Sequence, residues 1–297
     1  MERGLKPACF SDFSPRPWNC QNPFVRLEKW LEAAAKELES AGVESARLEA
    51  QLLAAHGHGR DRAWLLAHQE TEANLKTLDP LLKRRLAREP LAYIVGYREF
   101  YGRRFAVNRH VLIPRQETET VVEAALEAIR KGGYRKVLDL GSGSGCIGIT
   151  LALEQPGLEV WASDVSEEAL EVARSNADAL RAPVRFVQSD LFENLAGERF
   201  DLIVGNPPYV RADAPLAPEV GEWEPAAALY AGESGLDIYC GIASGAGPHL
   251  VGALVLEVGD GQADEVRAVF AEQNWKAAEA RRDLLGHERA LVFVSGD

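Results

Sequence analysis

Apolar positions change their spacing twice along the chain, and each change marks a different kind of structure. From Asn22 to Glu89 they recur at helical intervals. Asn22-Pro23 has the form of a helix start, with Asn as N-cap and Pro at the first helical position. Leu27, Leu31, Ala34 and Leu38 follow on one face, and Gly42 ends the helix. A second helix is expected from about Ser45 to Gly57, with Leu48, Leu52 and Ala55 on one face. Asp61 is placed to cap a short helix carrying Trp64 and Leu65, and a further helix carries Leu75, Leu78, Leu82 and Leu86. Short linked amphipathic helices of this kind make a small bundle. From Leu91 the spacing turns strand-like: Ile94, Tyr97, Phe100, Phe105 and Val107 surround Tyr101-Gly102, which predicts a hairpin. Val111-Leu112-Ile113 then leads into a polar segment, where Glu117 or Thr118 opens a helix running to Gly132.

Beyond Gly132 strand and helix alternate. Val137–Leu140, Val160–Asp164, Val184–Gln188, Leu202–Val204 and Ala253–Val258 are apolar runs of strand length. Helices are expected at Cys146–Leu153, at Ser166–Leu180 with Ser166 as cap, and at Ala263–Gln273. Two edge strands are expected near Trp275–Ala280 and Ala290–Val294. The pattern predicts an α/β fold: a doubly wound, mostly parallel, seven-stranded sheet with helices on both faces. The expected organisation is a poorly ordered extension over residues 1–21, a helical bundle over 22–89, a linking hairpin over 90–117 and the α/β domain over 118–297.

Composition narrows the setting. With 297 residues the chain has room for one large or two modest domains. No apolar run approaches the roughly 18 residues that span a bilayer, and the first residues lack a signal-peptide core, so a cytoplasmic protein with no membrane partner is expected. The formal net charge of −12 argues against bulk nucleic-acid binding, which needs a positive surface. Arg98, Arg103, Arg104, Arg109 and Arg115 lie close in sequence, and a solvated hairpin face accounts for them. Cys9, Cys20, Cys146 and Cys240 are scattered and form no C-x-x-C pair, and His56 and His58 lack accompanying thiols or carboxylates, so no metal site is expected.

Four features fall at the carboxyl ends of expected strands, where ligands bind in doubly wound sheets. Gly141-Ser142-Gly143-Ser144-Gly145 turns from strand to helix, with glycines that permit a tight turn and close approach by a ligand. Gly143 to Gly148 also fits G-x-G-x-x-G, so a dinucleotide is a rival ligand. Asp164 lies about 20 residues past the turn, where an acid meets ribose hydroxyls of NAD or S-adenosylmethionine alike. Asp190 follows the third strand, towards the adenine end of such a ligand. Gly205-Asn206-Pro207-Pro208-Tyr209 closes the fourth. Its two prolines fix φ and remove donors, leaving a rigid corner of carbonyls and one side-chain amide beside an aromatic ring. That corner suits a planar group bearing an NH2 and supplies no hydride partner. Acceptors on the two hydrogens of such a nitrogen fix its orientation, so the chemistry is positioning and electrostatics rather than strong base.

Asp139 to Ile147 resembles motif I of the class I methyltransferases. Together with Ile113-Pro114-Arg115-Gln116-Glu117-Thr118-Glu119 and Gly205 to Val210, it resembles the release-factor glutamine methyltransferases. The likeness extends to Tyr93–Gly96, Glu224-Pro225, Leu256-Glu257-Val258-Gly259 and Asp283–Arg289, and covers nearly everything from Asn22 onward. It implies methyl transfer from S-adenosylmethionine to the side-chain amide of a glutamine in the Gly-Gly-Gln loop of class 1 peptide-chain release factors. Carried over, Gly141, Ser142, Gly143, Ser144 and Gly145 hold the cofactor's methionine part, Asp164 the ribose, and Asp190 with Leu191 the adenine, with Asn206 at the reacting end. Asn206 and the Pro207 carbonyl take the substrate NH2, with Pro208 and Tyr209 beside it and Arg115 and Glu117 shaping the mouth. Gln116 stands where the family usually has a second proline. The competing readings are an N-methyltransferase acting on an exocyclic amino group of a DNA or RNA base, and a non-catalytic scaffold that binds adenosine ligands.

Overall fold

The computed structural model describes residues 22–296, so the expected extension over residues 1–21, with Cys9 and Cys20, lies outside the described residues. The described chain divides into two compact units between Val95 and Gly96.

The first unit runs β1 (Phe24–Arg26), α1 (Leu27–Ser40), α2 (Ala46–Gly57), α3 (Arg62–Ala67), β2 (Glu72–Asn74), α4 (Leu75–Leu86) and α5 (Leu91–Val95). Trp30 and the leucines Leu27, Leu38, Leu53, Leu65, Leu78 and Leu82 fill its core. Asn22 does not start a helix. Its Oδ1 accepts from the Phe24 N–H at 3.0 Å, and residues 24–26 pair antiparallel with 72–74 before α1 begins. Of the expected face of α2, Ala55 is buried but Leu48 is exposed, and Ala46, Ala50, Leu53 and Ala54 are buried instead. The small alanines give the helix a narrow face that neighbours can approach closely, and that outweighs the larger leucine stripe. Asp61 caps α3 as expected, accepting from the Trp64 N–H at 2.7 Å. Residues 91–95 form a helical turn rather than a strand, because the Pro90 carbonyl accepts the N–H groups of Tyr93 and Ile94.

The second unit opens with the hairpin β3 (Tyr97–Phe100) and β4 (Arg103–Ala106), followed by α6 (Glu119–Gly132). Then come β5 (Lys136–Leu140), α7 (Cys146–Glu154), β6 (Glu159–Asp164), α8 (Glu167–Leu180), β7 (Val184–Gln188) and β8 (Phe200–Gly205). After α9 (Pro218–Gly221) and α10 (Asp237–Gly245) the chain finishes β9 (Leu250–Glu257), α11 (Ala263–Glu272), β10 (Trp275–Arg282) and β11 (Glu288–Ser295). The seven-stranded sheet has the order β10-β11-β9-β8-β5-β6-β7. Its strands are parallel except where β11 pairs antiparallel with both β9 and β10. Thus β10 is an edge strand but β11 is not. Leu291 and Phe293 of β11 are fully buried, whereas most of β10 is exposed. Only the continuous apolar run can sit inside the sheet.

Side chains alternate across the strands into two apolar layers. Val137, Leu202, Val204 and Val255 face α6, α7 and the hairpin aromatics Phe100 and Phe105. Leu138, Leu140, Ile203 and Leu254 face α10 and α11, with Tyr239, Ile242 and Phe270. The hairpin is anchored by Asn176 of α8, whose amide exchanges hydrogen bonds with Ala106 at 2.7 and 3.1 Å and also donates to the Ser144 carbonyl at 2.9 Å. β5 runs on to β6 on one side and adjoins β8 on the other, so the strand order reverses at β5 and opens a crevice at the strand ends.

Candidate active site

A cavity of about 290 Å³ lies at those strand ends. The turn after β5 forms one wall. The N–H groups of Gly141 and Ser142 both donate to the Ser163 carbonyl at 2.9 Å, which pins the turn to the end of β6. Gly141, Gly143 and Gly145 hold φ of +73°, +53° and +79°. Gly145 is fixed twice over: a Cβ there would lie 2.8 Å from the Ile149 side chain as well as in the left-handed region. The Ser142 hydroxyl is buried against the cavity without a partner among the described residues.

Two acids brace this wall. Asp164 accepts from the Gly143 N–H at 2.8 Å through Oδ2 and from the Ser166 N–H at 3.0 Å through Oδ1. Burial raises its pKa, and those backbone donors work against the rise. Asp139 lies beneath the turn, fully buried. Its Oδ2 accepts from the Gly148 N–H at 2.7 Å, and its Oδ1 has no partner among the described residues. Burial, with a smaller contribution from the Asp164 charge, pushes its carboxyl up to about 7. Next to this wall, Asp190 is exposed, and Leu191 holds a φ of +43° with its carbonyl accepting from the Ser189 hydroxyl at 3.0 Å.

The opposite wall is the corner after β8. Gly205 is required by space, since a Cβ would fall 2.6 Å from the Leu140 carbonyl oxygen. The next residue, Asn206, therefore stands close to the end of β5. Its Nδ2 donates to the Thr118 hydroxyl at 3.2 Å, and no donor among the described residues reaches its Oδ1. After the two prolines the chain is fixed again. The Val210 N–H donates to the Leu229 carbonyl at 2.8 Å, and Gln262 Nε2 donates to the Tyr209 carbonyl at 3.1 Å. The Tyr209 hydroxyl is pushed up to about 12, first by burial and then by the Glu257 charge.

Residues 116–220 match the family described as Methyltransferase small domain, and residues 29–96 match the PrmC N-terminal domain. Over 250 residues the chain is 46% identical to the release factor glutamine methyltransferase of Bordetella pertussis, covering 82% of this chain and 93% of that one. The chain belongs to the release factor glutamine methyltransferase family. It is also 36% identical over 303 residues to a bifunctional methyltransferase of Rickettsia felis, covering 90% of this chain but 58% of that relative, so it spans little more than half of that longer protein. A methyltransferase structure from Pyrococcus furiosus aligns at a TM-score of 0.49 with 18% identity, over 67% of this chain and 91% of that one.

For a release factor glutamine methyltransferase the site residues expected from sequence fall into two groups. Gly141, Ser142, Gly143, Ser144, Asp164, Asp190, Leu191, Asn206, Pro207, Pro208 and Arg115 all line the one cavity. Gly145, Glu117 and Tyr209 do not. Gly145 packs behind the turn against Ile149 and Ala173, Glu117 is exposed, and the Tyr209 ring reaches within 3.0 Å of where a Gly259 Cβ would stand. Three residues to which the sequence reading gives no site role belong to this region. Glu224 is buried and accepts from the Ile113 N–H at 3.0 Å and from the Arg115 guanidinium at 2.5 Å. Thr118 was visible only as a helix opener; it is the N-cap residue of α6, and its hydroxyl meets Asn206. Glu257 ends β9 with its carboxylate buried, and burial pushes it up to about 7. The signal for the last was present: an acid closing an apolar strand run rarely lacks a task.

No helix among the described residues is long and apolar enough to cross a membrane.

Proposed function

We propose that this chain transfers a methyl group from S-adenosylmethionine to the side-chain amide nitrogen of a glutamine, the one in the Gly-Gly-Gln motif of class 1 peptide-chain release factors, in the cytoplasm. The observation that carries this reading is the Asn206 corner. A side-chain amide is held by its nitrogen, with its oxygen left for a ligand, across one cavity from a glycine turn and an acid.

The residues present fit the cofactor. The orphaned Ser142 hydroxyl calls for a polar ligand group, and the turn of Gly141 and Gly143 leaves open space where side chains would otherwise project. Gly141 to Ser144 would hold the amino-acid part, Asp164 the ribose, and Asp190 with Leu191 the adenine. When bound, S-adenosylmethionine supplies an electrophilic methyl group. The chain's own work is on the acceptor. An amide nitrogen is a poor nucleophile because its lone pair is delocalised into the carbonyl. Asn206 Oδ1 and the Pro207 carbonyl accept from its two hydrogens, fix its plane and favour electron density on nitrogen. Pro208 and Tyr209 stiffen that corner, and Arg115 with Glu117 borders the approach.

The test is methyl transfer from labelled S-adenosylmethionine to a release factor, to a release factor in which that glutamine is replaced, and to nucleic acid. Label in the intact release factor alone is expected. Label in nucleic acid alone would replace the reading with base methylation.

A further inference from the structure

We propose that Gln262 is a positioning residue for the acceptor amide: it grips the Tyr209 carbonyl and so fixes the far end of the corner that begins at Asn206. The inference rests on the amide-methylation reading above, which gives that corner the acceptor glutamine.

Gln262 closes the loop between β9 and α11, 53 positions from Tyr209, and is the N-cap residue of α11. An N-cap side chain ordinarily accepts from the first N–H groups of its own helix. The Gln262 side chain makes no such bond, and its Nε2 donates instead to the Tyr209 carbonyl at 3.1 Å. The backbone of Gln262 does the local work. Its N–H donates to the Gly259 carbonyl at 3.1 Å, and its carbonyl accepts from the Val266 N–H at 3.0 Å. The side chain is thereby spent on a distant segment rather than on its own helix.

Two glycines clear the space for this one hydrogen bond. A Cβ at Gly235 would lie 2.6 Å from the Tyr209 carbonyl oxygen and 3.1 Å from Gln262 Nε2. A Cβ at Gly259 would overlap Gln262 Oε1 and stand 3.0 Å from the Tyr209 ring. Backbone from two separate loops thus closes around the contact. The contact also has a polarity. A carbonyl can only accept, so the nitrogen of the Gln262 amide must face it. Gln262 Oε1 is then left buried with no partner among the described residues. An unpaired buried acceptor costs stability, and an apolar side chain of the same length would fill the slot without that cost. The donor it brings to Tyr209 is what the amide adds.

Neither Gln262 nor Tyr209 lines the cavity, so the grip acts through the chain. The Tyr209 carbonyl and the Val210 N–H belong to one peptide unit. Gln262 holds its oxygen, and the Leu229 carbonyl accepts its N–H at 2.8 Å. At the other end Gly205 is pinned in the ladder opposite Leu256, and Asn206 Nδ2 donates to Thr118 at 3.2 Å. Between these points stand Pro207 and Pro208, whose rings lock φ. A segment with so little freedom passes a fixed end on to its other residues. The Asn206 amide and the Pro207 carbonyl therefore keep one angle to the cavity. Without Gln262 the Tyr209–Val210 peptide is held on its nitrogen side alone and can tilt, and small misplacements of acceptor groups are costly to rate.

The test uses the full chain, with kcat, KM and cofactor affinity measured separately. Gln262→Met keeps the length and removes the donor. It is expected to lower kcat by about tenfold, the loss of one hydrogen bond, with KM for the release factor and cofactor affinity within about threefold of wild type. Gln262→Asn separates positioning from helix capping. Asparagine is a favoured N-cap residue but is one carbon too short to reach Tyr209, so kcat is expected to fall by the same amount. A wild-type kcat in either variant, or a loss confined to KM, overturns the proposal. If Gln262→Met does not fold, Gln262→Asn decides. NMR of protein labelled at the tyrosine carbonyl carbons and the asparagine side chains reads the grip without turnover. The Tyr209 carbonyl and Asn206 NH2 resonances are expected to shift in both variants. An unmoved Asn206 resonance overturns the proposal. Failure of wild type to label a release-factor glutamine counts against the proposed function alone, because the resonances do not depend on the acceptor.

Discussion

The ends of β5 and β6 and the ends of β8 and β9 hold their ligand sides with different materials. The first is made of backbone. Glycines in left-handed conformations expose the chain, and Asp164 and Asp139 tie it down by accepting N–H groups of Gly143, Ser166 and Gly148. The second is made of side chains: Asn206 donates to Thr118 from a separate segment, and Glu257 follows the strand position that pairs with Gly205. A backbone wall offers fixed donors at a helix start and suits a cofactor that every turnover shares. A side chain held by one contact, as Asn206 is by Thr118, can be oriented. On the proposed function, the first wall governs cofactor binding and the second governs the acceptor chemistry.

The sharpest way to break that division is Asn206→Ala. Losing one preorganised polar contact is expected to lower kcat by ~10²-fold or more. Cofactor affinity, measured by calorimetry, should stay within about threefold, well below the tenfold that about 1.4 kcal/mol represents. A collapse of cofactor affinity would move Asn206 to the first wall and erase the contrast.

The same contrast explains what the sequence makes legible. The glycine turn and the Asn-Pro-Pro-Tyr corner are contiguous, so their chemistry is written in neighbouring letters. Thr118 and Asn206 are 88 positions apart and meet only in the fold, and Glu257 comes beside Asn206 only because β8 and β9 are in register at Gly205 and Leu256. Glu224 likewise finds Ile113 and Arg115 from 111 and 109 positions away. The strands were readable because buried parallel strands are unbroken apolar runs. The helix Asp237–Gly245 was missed because Gly241 and Gly245 dilute its periodicity, although Tyr239 and Ile242 anchor it. The strand Phe24–Arg26 is too short to show any period and exists only through its partner at 72–74.

Stability against pH tests the acid beneath the first wall. The folded chain keeps the Asp139 proton up to about pH 7, whereas an unfolded chain gives it up near the ordinary carboxylate value. The native state then binds more protons over that interval, so the stabilisation is complete below the unfolded pKa and is lost as pH rises through about 7. Each whole proton of difference costs at most about 1.4 kcal/mol per pH unit. Asp139→Asn mimics the neutral acid, since its oxygen can still accept from the Gly148 N–H. Its melting temperature is expected to decline less than wild type between about pH 5 and pH 7. Glu257 acts with the same sign, so the slope is reduced rather than abolished. An unchanged slope would show Asp139 to be ionised in the folded chain.

Asp164→Asn sharpens the contrast from the cofactor side. An asparagine has one acceptor where Asp164 uses two oxygens, one for Gly143 and one for Ser166. Cofactor affinity is expected to fall about tenfold, the worth of one hydrogen bond to a charged group, while kcat at saturating cofactor stays within about threefold. A large loss of kcat would mean that the backbone wall takes part in the chemistry.

The smallest effect is expected at Glu224, which belongs to neither wall but braces the second. Its two oxygens serve the Ile113 N–H and the Arg115 guanidinium, and its side chain is 1% exposed against 32% for Arg115. Glu224→Gln keeps one acceptor and turns an NH2 towards a donor, so one of the two contacts is lost. The Arg115 segment then loosens without moving Asn206, whose own partner is Thr118. KM for the release factor is expected to rise about threefold with kcat nearly unchanged, because a contact made equally in ground state and transition state affects binding alone. Should kcat fall instead, Arg115 would be acting on the reacting amide, and the second wall would extend from Asn206 to the Ile113–Arg115 segment.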